Sequence, residues 1–91
     1  MSDKPNVLFI MVDQMKASIL RLYSEIGIEC PQIEKLAKEG VTFENAITPS
    51  PLCVPARTSI MTAKYPHSTG CRRNETLLPE NEIHAFKIWK E

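Results

Sequence analysis

The chain has 91 residues, with eleven basic and eleven acidic side chains that give a formal net charge of zero. A chain of this length buries only about 60–65% of the surface its unfolded form exposes, so at most one domain with a marginal core is expected. No run of like charge exceeds Arg72-Arg73, which excludes the electrostatic footprint of a nucleic-acid binder or of a protein held on an anionic membrane.

The apolar run Val7 to Val12 follows closely on the N-terminus and is too short and wrongly flanked for a signal peptide or a membrane span. A cytoplasmic location is the expectation. Continuously apolar, with β-branched and aromatic members, the run predicts a strand buried on both faces of a parallel sheet. Asp13 then stands at the carboxyl end of that strand, the edge where open α/β sheets bind ligands, and its type and place suit a metal ligand.

Met15, Ile19, Leu22 and Ile26 recur at helical spacing and predict an amphipathic helix ending at Gly27. Pro31 opens a second helix with Ile33, Leu36 and Ala37 on its apolar stripe and Gly40 as its stop. Val41, Phe43 and Ile47 predict a second strand, weakened at its end by Asn45 and Ala46. Thr48-Pro49-Ser50-Pro51 is a turn cluster that delivers the chain to Cys53. From Pro55 to about Lys64 the pattern is helical, with the proline in the first turn, where its missing N–H is not needed. Tyr65 to Gly70 reads as loop, and Pro79 to Glu91 as a last helix that reaches the final residue without a cap or breaker.

Cys30, Cys53 and Cys71 are odd in number and widely spaced, which argues for reduced thiols over a disulfide framework or a zinc knuckle. Cys53 lies beside a helix N-terminus, where backbone N–H groups and the helix dipole attract an anion. Arg57 is one turn further on, so both side chains can address the same pocket. His67 and Cys71 are spaced as metal ligands can be, yet two ligands make no closed site. Lys64, Arg72 and Arg73 read as solvated surface, Met11, Met15 and Met61 as core filling, and His84 as a surface residue. Taken singly, Cys53 is also consistent with an inert thiol, Arg57 with a solvated helix residue and Asp13 with a turn former.

Together these segments resemble one family. Pro51-Leu52-Cys53-Val54-Pro55-Ala56-Arg57-Thr58-Ser59-Ile60-Met61-Thr62 resembles the Cys-x-Pro-x-Arg signature of the sulfatases, and Asn6-Val7-Leu8-Phe9-Ile10-Met11-Val12-Asp13-Gln14 resembles their first strand with its metal-binding aspartate. Leu36 to Ala46 and Tyr65 to Gly70 are similar as well, so the resemblance extends over nearly the whole chain. It implies the alkaline phosphatase-like α/β sandwich with a central, mostly parallel sheet. Sulfatases run to several hundred residues, so residues 1–91 are expected to be a partial N-terminal catalytic domain, truncated at its C-terminus and incomplete as a sheet.

The chemistry implied by the resemblance is sulfate ester hydrolysis. Cys53 is converted to formylglycine by a formylglycine-generating or radical maturase enzyme; the hydrated aldehyde attacks sulfur and later expels sulfate by collapsing back to the aldehyde. Arg57 holds the hydrate or a sulfuryl oxygen in its planar fork. Asp13, Gln14 and the modified Cys53 bind a divalent cation, calcium or magnesium, which polarises the ester. Gln14 stands where many sulfatases carry a second aspartate, and Ala63 where most carry glycine. The remaining metal ligands and the general acid that the family uses are not found in these residues. Two rival readings are a phosphonate or phosphate monoester hydrolase of the same superfamily, which shares the Cys-x-Pro-x-Arg motif and the Asp13-Gln14 pairing, and a non-catalytic small α/β interaction domain.

Overall fold

The structure, a computed structural model, describes residues 4–90. They divide into two compact units, Met1–Thr42 and Phe43–Glu91, each with its own internal packing.

In the first unit, residues 7–12 adopt no regular structure and pair with no other segment among the described residues, so the expected first strand is not formed. A strand is a relation between two segments, and no described neighbour supplies the ladder that Val7 to Val12 would need. Leu8 and Ile10 are accordingly 84% and 71% exposed. Asp13 and Gln14 form a turn, with Gln14 in the left-handed region at φ 50°.

The helix expected from Met15 to Ile26 is also absent; a short 3₁₀ turn, Ala17–Ile19, takes its place. What competes with the helix is a compact loop closed by a parallel bridge between Leu20 and Ile28. The Ile28 N–H donates to the Ile19 carbonyl at 2.8 Å and the Arg21 N–H to the Ile28 carbonyl at 3.0 Å. Gly27 makes this closure possible, because a Cβ there would stand 2.5 Å from the Leu20 carbonyl carbon and 2.6 Å from the Arg21 nitrogen. Leu20 is buried inside the loop, and an exposed Arg21–Glu29 ion pair ties its edges.

Helix α1 (Pro31–Glu39) forms as its punctuation predicts, with Pro31 at its first position and Gly40 donating to the Leu36 carbonyl at 2.9 Å as its stop. Glu34 accepts the Cys30 N–H at 3.3 Å, so a side chain of the first turns satisfies the N-cap amide. Its predicted stripe is only partly covered: Ile33 and Ala37 are half-buried and Leu36 is exposed.

In the second unit the strand expected over Val41 to Ile47 is not formed either, and Phe43 and Ile47 lie open to solvent. Thr48 and Ser50 make successive side-chain turns, Thr48 Oγ1 donating to the Ser50 carbonyl at 2.7 Å and Ser50 Oγ accepting the Leu52 N–H at 3.4 Å. They deliver the chain to helix α2 (Cys53–Thr62), which starts two residues ahead of the expected Pro55 and ends on Ala63 in the left-handed region, φ 55°. A single helical turn, α3 (Pro66–Thr69), interrupts the segment expected to be loop and ends on Gly70 at φ 79°. Helix α4 (Ala85–Lys90) occupies only the later part of the expected terminal helix, and Glu91 lies outside the described residues. Lys87 explains the late start: its ammonium donates to the carbonyls of Glu80 and Glu82, holding the segment before α4 in a turn. His84 is half-buried, its ring edge-on to Phe86, which corrects its expected surface role.

Helix α2 packs against α3 and α4 and is the centre of this unit. Its buried face carries Pro55 and Ser59; Cys71, from the segment after α3, is wholly buried. The family architecture expected from the sequence is α/β, whereas the elements formed by the described residues are helices, with no sheet among them.

Candidate functional site

Helix α2 separates its residues by the 3.6-residue period into three sides. Pro55 and Ser59 point inward; Val54 and Thr58 are half-buried; Cys53, Arg57 and Ile60 are exposed. Cys53 and Arg57, one turn apart, therefore share the exposed side. Cys53 is the first residue of the helix, with Leu52 as its N-cap, so its side chain stands at the helix rim.

The N-terminus of α2 is less open to an anion than its position suggests. A helix begins with N–H groups that lack intrahelical partners, but here Pro55 has none to offer. The Ala56 N–H donates to the Leu52 carbonyl at 3.0 Å and starts the helical ladder. The Val54 N–H donates to Asn74 Oδ1 at 3.1 Å, a cap supplied from twenty residues downstream in place of the side-chain cap that Leu52 cannot give. The anion-binding capacity at Cys53 thus rests on side chains more than on backbone.

The segment that carries Asn74 is held firmly. Cys71 Sγ lies 3.5 Å from Thr58 Oγ1 and donates to the Thr76 carbonyl at 3.7 Å. The Cys71 N–H donates to Thr69 Oγ1 at 3.3 Å, and the Thr76 N–H closes a turn on the Arg73 carbonyl at 3.2 Å. Cys71 is therefore a packing residue against α2, and His67, the residue whose spacing to Cys71 matched a ligand pair, stacks on Tyr65 with ring centroids 5.6 Å apart. Sequence reasoning passed over Asn74 because its only signal, an amide in a turn, means nothing until the fold brings it to α2.

Residues 5–86 match the sequence model of the sulfatase family. The chain belongs to the sulfatase family. Among sulfatases it is similar to an ulvan-active sulfatase of Formosa agariphila, 38% identical over 96% of this chain and 17% of that protein. An arylsulfatase of Clostridium perfringens is 43% identical over 74% of the chain and 14% of its own length. The human N-acetylgalactosamine-6-sulfatase is 35% identical over 72% of the chain and 13% of its own length. The chain thus spans about a sixth of the length of the sulfatases it matches. No solved structure matches it.

Asp13 and Gln14, the expected cation ligands of the sulfatase site, are exposed and adjacent in the turn of the first unit. Their oxygens have the right chemistry for a hard cation. Among the described residues, however, no group of three or more His, Cys, Asp or Glu side chains is assembled that could hold a metal ion. One carboxylate and one amide fall short of the six to eight oxygens calcium takes. A cavity lined by Pro49, Ser59, Ile60, Ala63, Lys64 and Tyr65 lies at the C-terminal end of α2, the end opposite Cys53.

Proposed function

We propose that this chain is the nucleophile-bearing part of a sulfate ester hydrolase, with Cys53 as the residue converted to formylglycine and Arg57 as its electrostatic partner. The observation that supports this most is the pairing of Cys53 and Arg57 on the exposed side of α2 within a sequence that matches the sulfatases over residues 5–86. The relatives differ in the alcohol their names print, ulvan for one and choline for another, so the reading is confined to the sulfate ester common to them.

An exposed first position on a helix leaves room for an enlarged, hydrated side chain at Cys53, and a maturase can reach it there. The aldehyde supplies a nucleophile that leaves its sulfate product by elimination, which a serine or thiol cannot do. Arg57 contributes a planar, permanently charged fork on the exposed side of the helix, a shape suited to two oxygens of a sulfuryl group at once. Asp13 and Gln14 are assigned as two ligands of a divalent cation, the rest coming from residues not described here. On this reading residues 1–91 make up part of an N-terminal catalytic domain, located in the cytoplasm.

The test is peptide mass spectrometry after co-expression with a formylglycine-generating or radical maturase. Conversion at Cys53, with Cys30 and Cys71 left as thiols, is the expected result, since only Cys53 has Pro55 and Arg57 after it. A free thiol at Cys53, with a control sulfatase fully converted, would remove the catalytic reading. A chimera in which residues 5–86 replace the matching segment of the Formosa ulvan-active sulfatase extends the test to turnover. Hydrolysis of phosphonate monoesters in preference to sulfate esters by that chimera would favour the rival hydrolase.

A further inference from the structure

Three features outside the Cys53–Arg57 pair invite a role: the cavity beside Ser59, the open apolar segment 7–12, and the Asn74 cap. The first two are apolar surfaces whose occupant nothing in the molecule identifies. The third has a defined donor, acceptor and consequence.

We infer that Asn74 is a positioning residue for the nucleophile, acting through the Val54 N–H to fix the first turn of α2. The inference rests on the sulfatase reading of Cys53. Three observations support it independently of one another. Helix α2 has no cap of its own, because Leu52 offers no side-chain acceptor and Pro55 interrupts the N–H row. Asn74 Oδ1 takes the N–H of the residue next to Cys53, at 3.1 Å. The turn bearing Asn74 is itself anchored to the following turn of α2, since wholly buried Cys71 meets Thr58 at 3.5 Å. The segment from Thr69 to Thr76 is thus a clip with two attachments on one side of α2, at Val54 and at Thr58.

Helix ends fray when their first N–H groups are unsatisfied, and Cys53 is the first residue of this helix. The clip therefore acts where fraying would move the nucleophile. It also removes the Val54 N–H from competition: in its absence that donor could turn to a sulfuryl oxygen or to the Cys53-derived oxygen and hold either away from the line of attack. The clip leaves Arg57 on the open side of the helix, so substrate binding and nucleophile placement are handled by different residues.

Kinetics on the Formosa chimera, normalised to formylglycine content by mass spectrometry, provide the decisive test. Asn74→Ala should lower kcat about tenfold or more while KM for ulvan sulfate stays within about twofold, because misplacement acts on the reacting geometry and not on binding. Asn74→Asp keeps the Oδ1 acceptor, is a good cap and should recover most of that kcat. If Asn74 instead served by donating its amide N–H to substrate, Asn74→Asp would be as impaired as Asn74→Ala, and that result overturns the inference. Loss of activity in a Cys53→Ala control is required for the underlying sulfatase reading; retained activity there refutes that reading and leaves the clip to be judged on a second measurement. That measurement is hydrogen exchange of the Val54 amide in the 91-residue chain. It should quicken about fivefold in Asn74→Ala and return in Asn74→Asp. An unchanged Val54 rate overturns the clip whatever the kinetics show.

Discussion

The thiol of Cys71 lies 3.5 Å from the hydroxyl of Thr58, wholly buried against the helix that begins with an exposed Cys53. Two cysteines eighteen positions apart are thus given opposite surroundings by one helix. The consequence is chemical. Without a maturase, iodoacetamide applied to the native chain should alkylate Cys53 first, half-buried Cys30 more slowly and Cys71 only on unfolding. Peptide mapping over a time course gives the order, and early labelling of Cys71 would show that the segment 69–76 is not held against α2. Cys71→Ala should destabilise the second unit by about 1 kcal/mol through the small cavity it leaves.

Ala63 ends α2 at φ 55°, a conformation that glycine adopts without strain and alanine does not. The resemblance to sulfatases implies glycine at this position, and alanine in its place puts a side chain in the left-handed region at the helix end. Ala63→Gly should therefore stabilise α2 by about 1 kcal/mol, the penalty for a side chain in the left-handed region. Slower amide exchange in the last turn of α2 reports the gain. Faster exchange would mean that glycine's greater freedom in the unfolded chain outweighs the strain relieved.

Gly27 presents the opposite case. Its Cβ position is blocked by backbone, 2.5 Å from the Leu20 carbonyl carbon and 2.7 Å from its oxygen, and backbone cannot step aside as a flexible side chain can. Gly27→Ala should open the loop, at about 1–3 kcal/mol, and expose the Ile28 and Arg21 amides that close it. Exchange at those two amides is the measurement. Unaltered protection would show that the Leu20–Ile28 bridge tolerates a wider loop.

What could be read from residues alone was local. Pro31 and Gly40 bound α1 because proline and glycine act on the backbone of their own turn, and Pro55 signals α2 for the same reason. The strands expected over 7–12 and 41–47 are not formed, since a strand exists only with a partner and no described segment pairs with either. The helix expected from Met15 gave way to a loop because the close approach of Gly27 to Leu20 outweighs a periodic apolar pattern. For the site, Cys53 and Arg57 could be placed together by helical spacing, whereas the Asn74 cap bridges twenty residues of sequence and has no local signature.

In the chimera, Asp13→Ala should remove cation-dependent turnover while leaving secondary structure intact, because an exposed carboxylate in a turn contributes little to packing. Arg57→Lys should lower kcat by about 10²–10³, the loss typical of one preorganised charge donor, since a point-charge ammonium cannot span two sulfuryl oxygens. Steady-state kinetics with circular dichroism of each variant decide both. Activity near that of the unsubstituted chimera in either variant would withdraw the role given to that residue.

The last prediction concerns the 91-residue chain by itself. Val7, Leu8 and Ile10 lie open along one segment whose backbone groups have no ladder partner among the described residues. An unpaired apolar edge of this kind pairs readily with another copy, so the chain should self-associate at micromolar concentration. Charged side chains disfavour such pairing, and Leu8→Lys with Ile10→Lys should return it towards monomer on gel filtration. The same chain with Cys53 converted should hydrolyse no aryl sulfate in calcium or magnesium, because its described residues gather too few ligands to fix a cation. A monomeric chain with cation-dependent turnover would contradict both expectations, and would mean that the exposed segment 7–12 finds its partners within these residues.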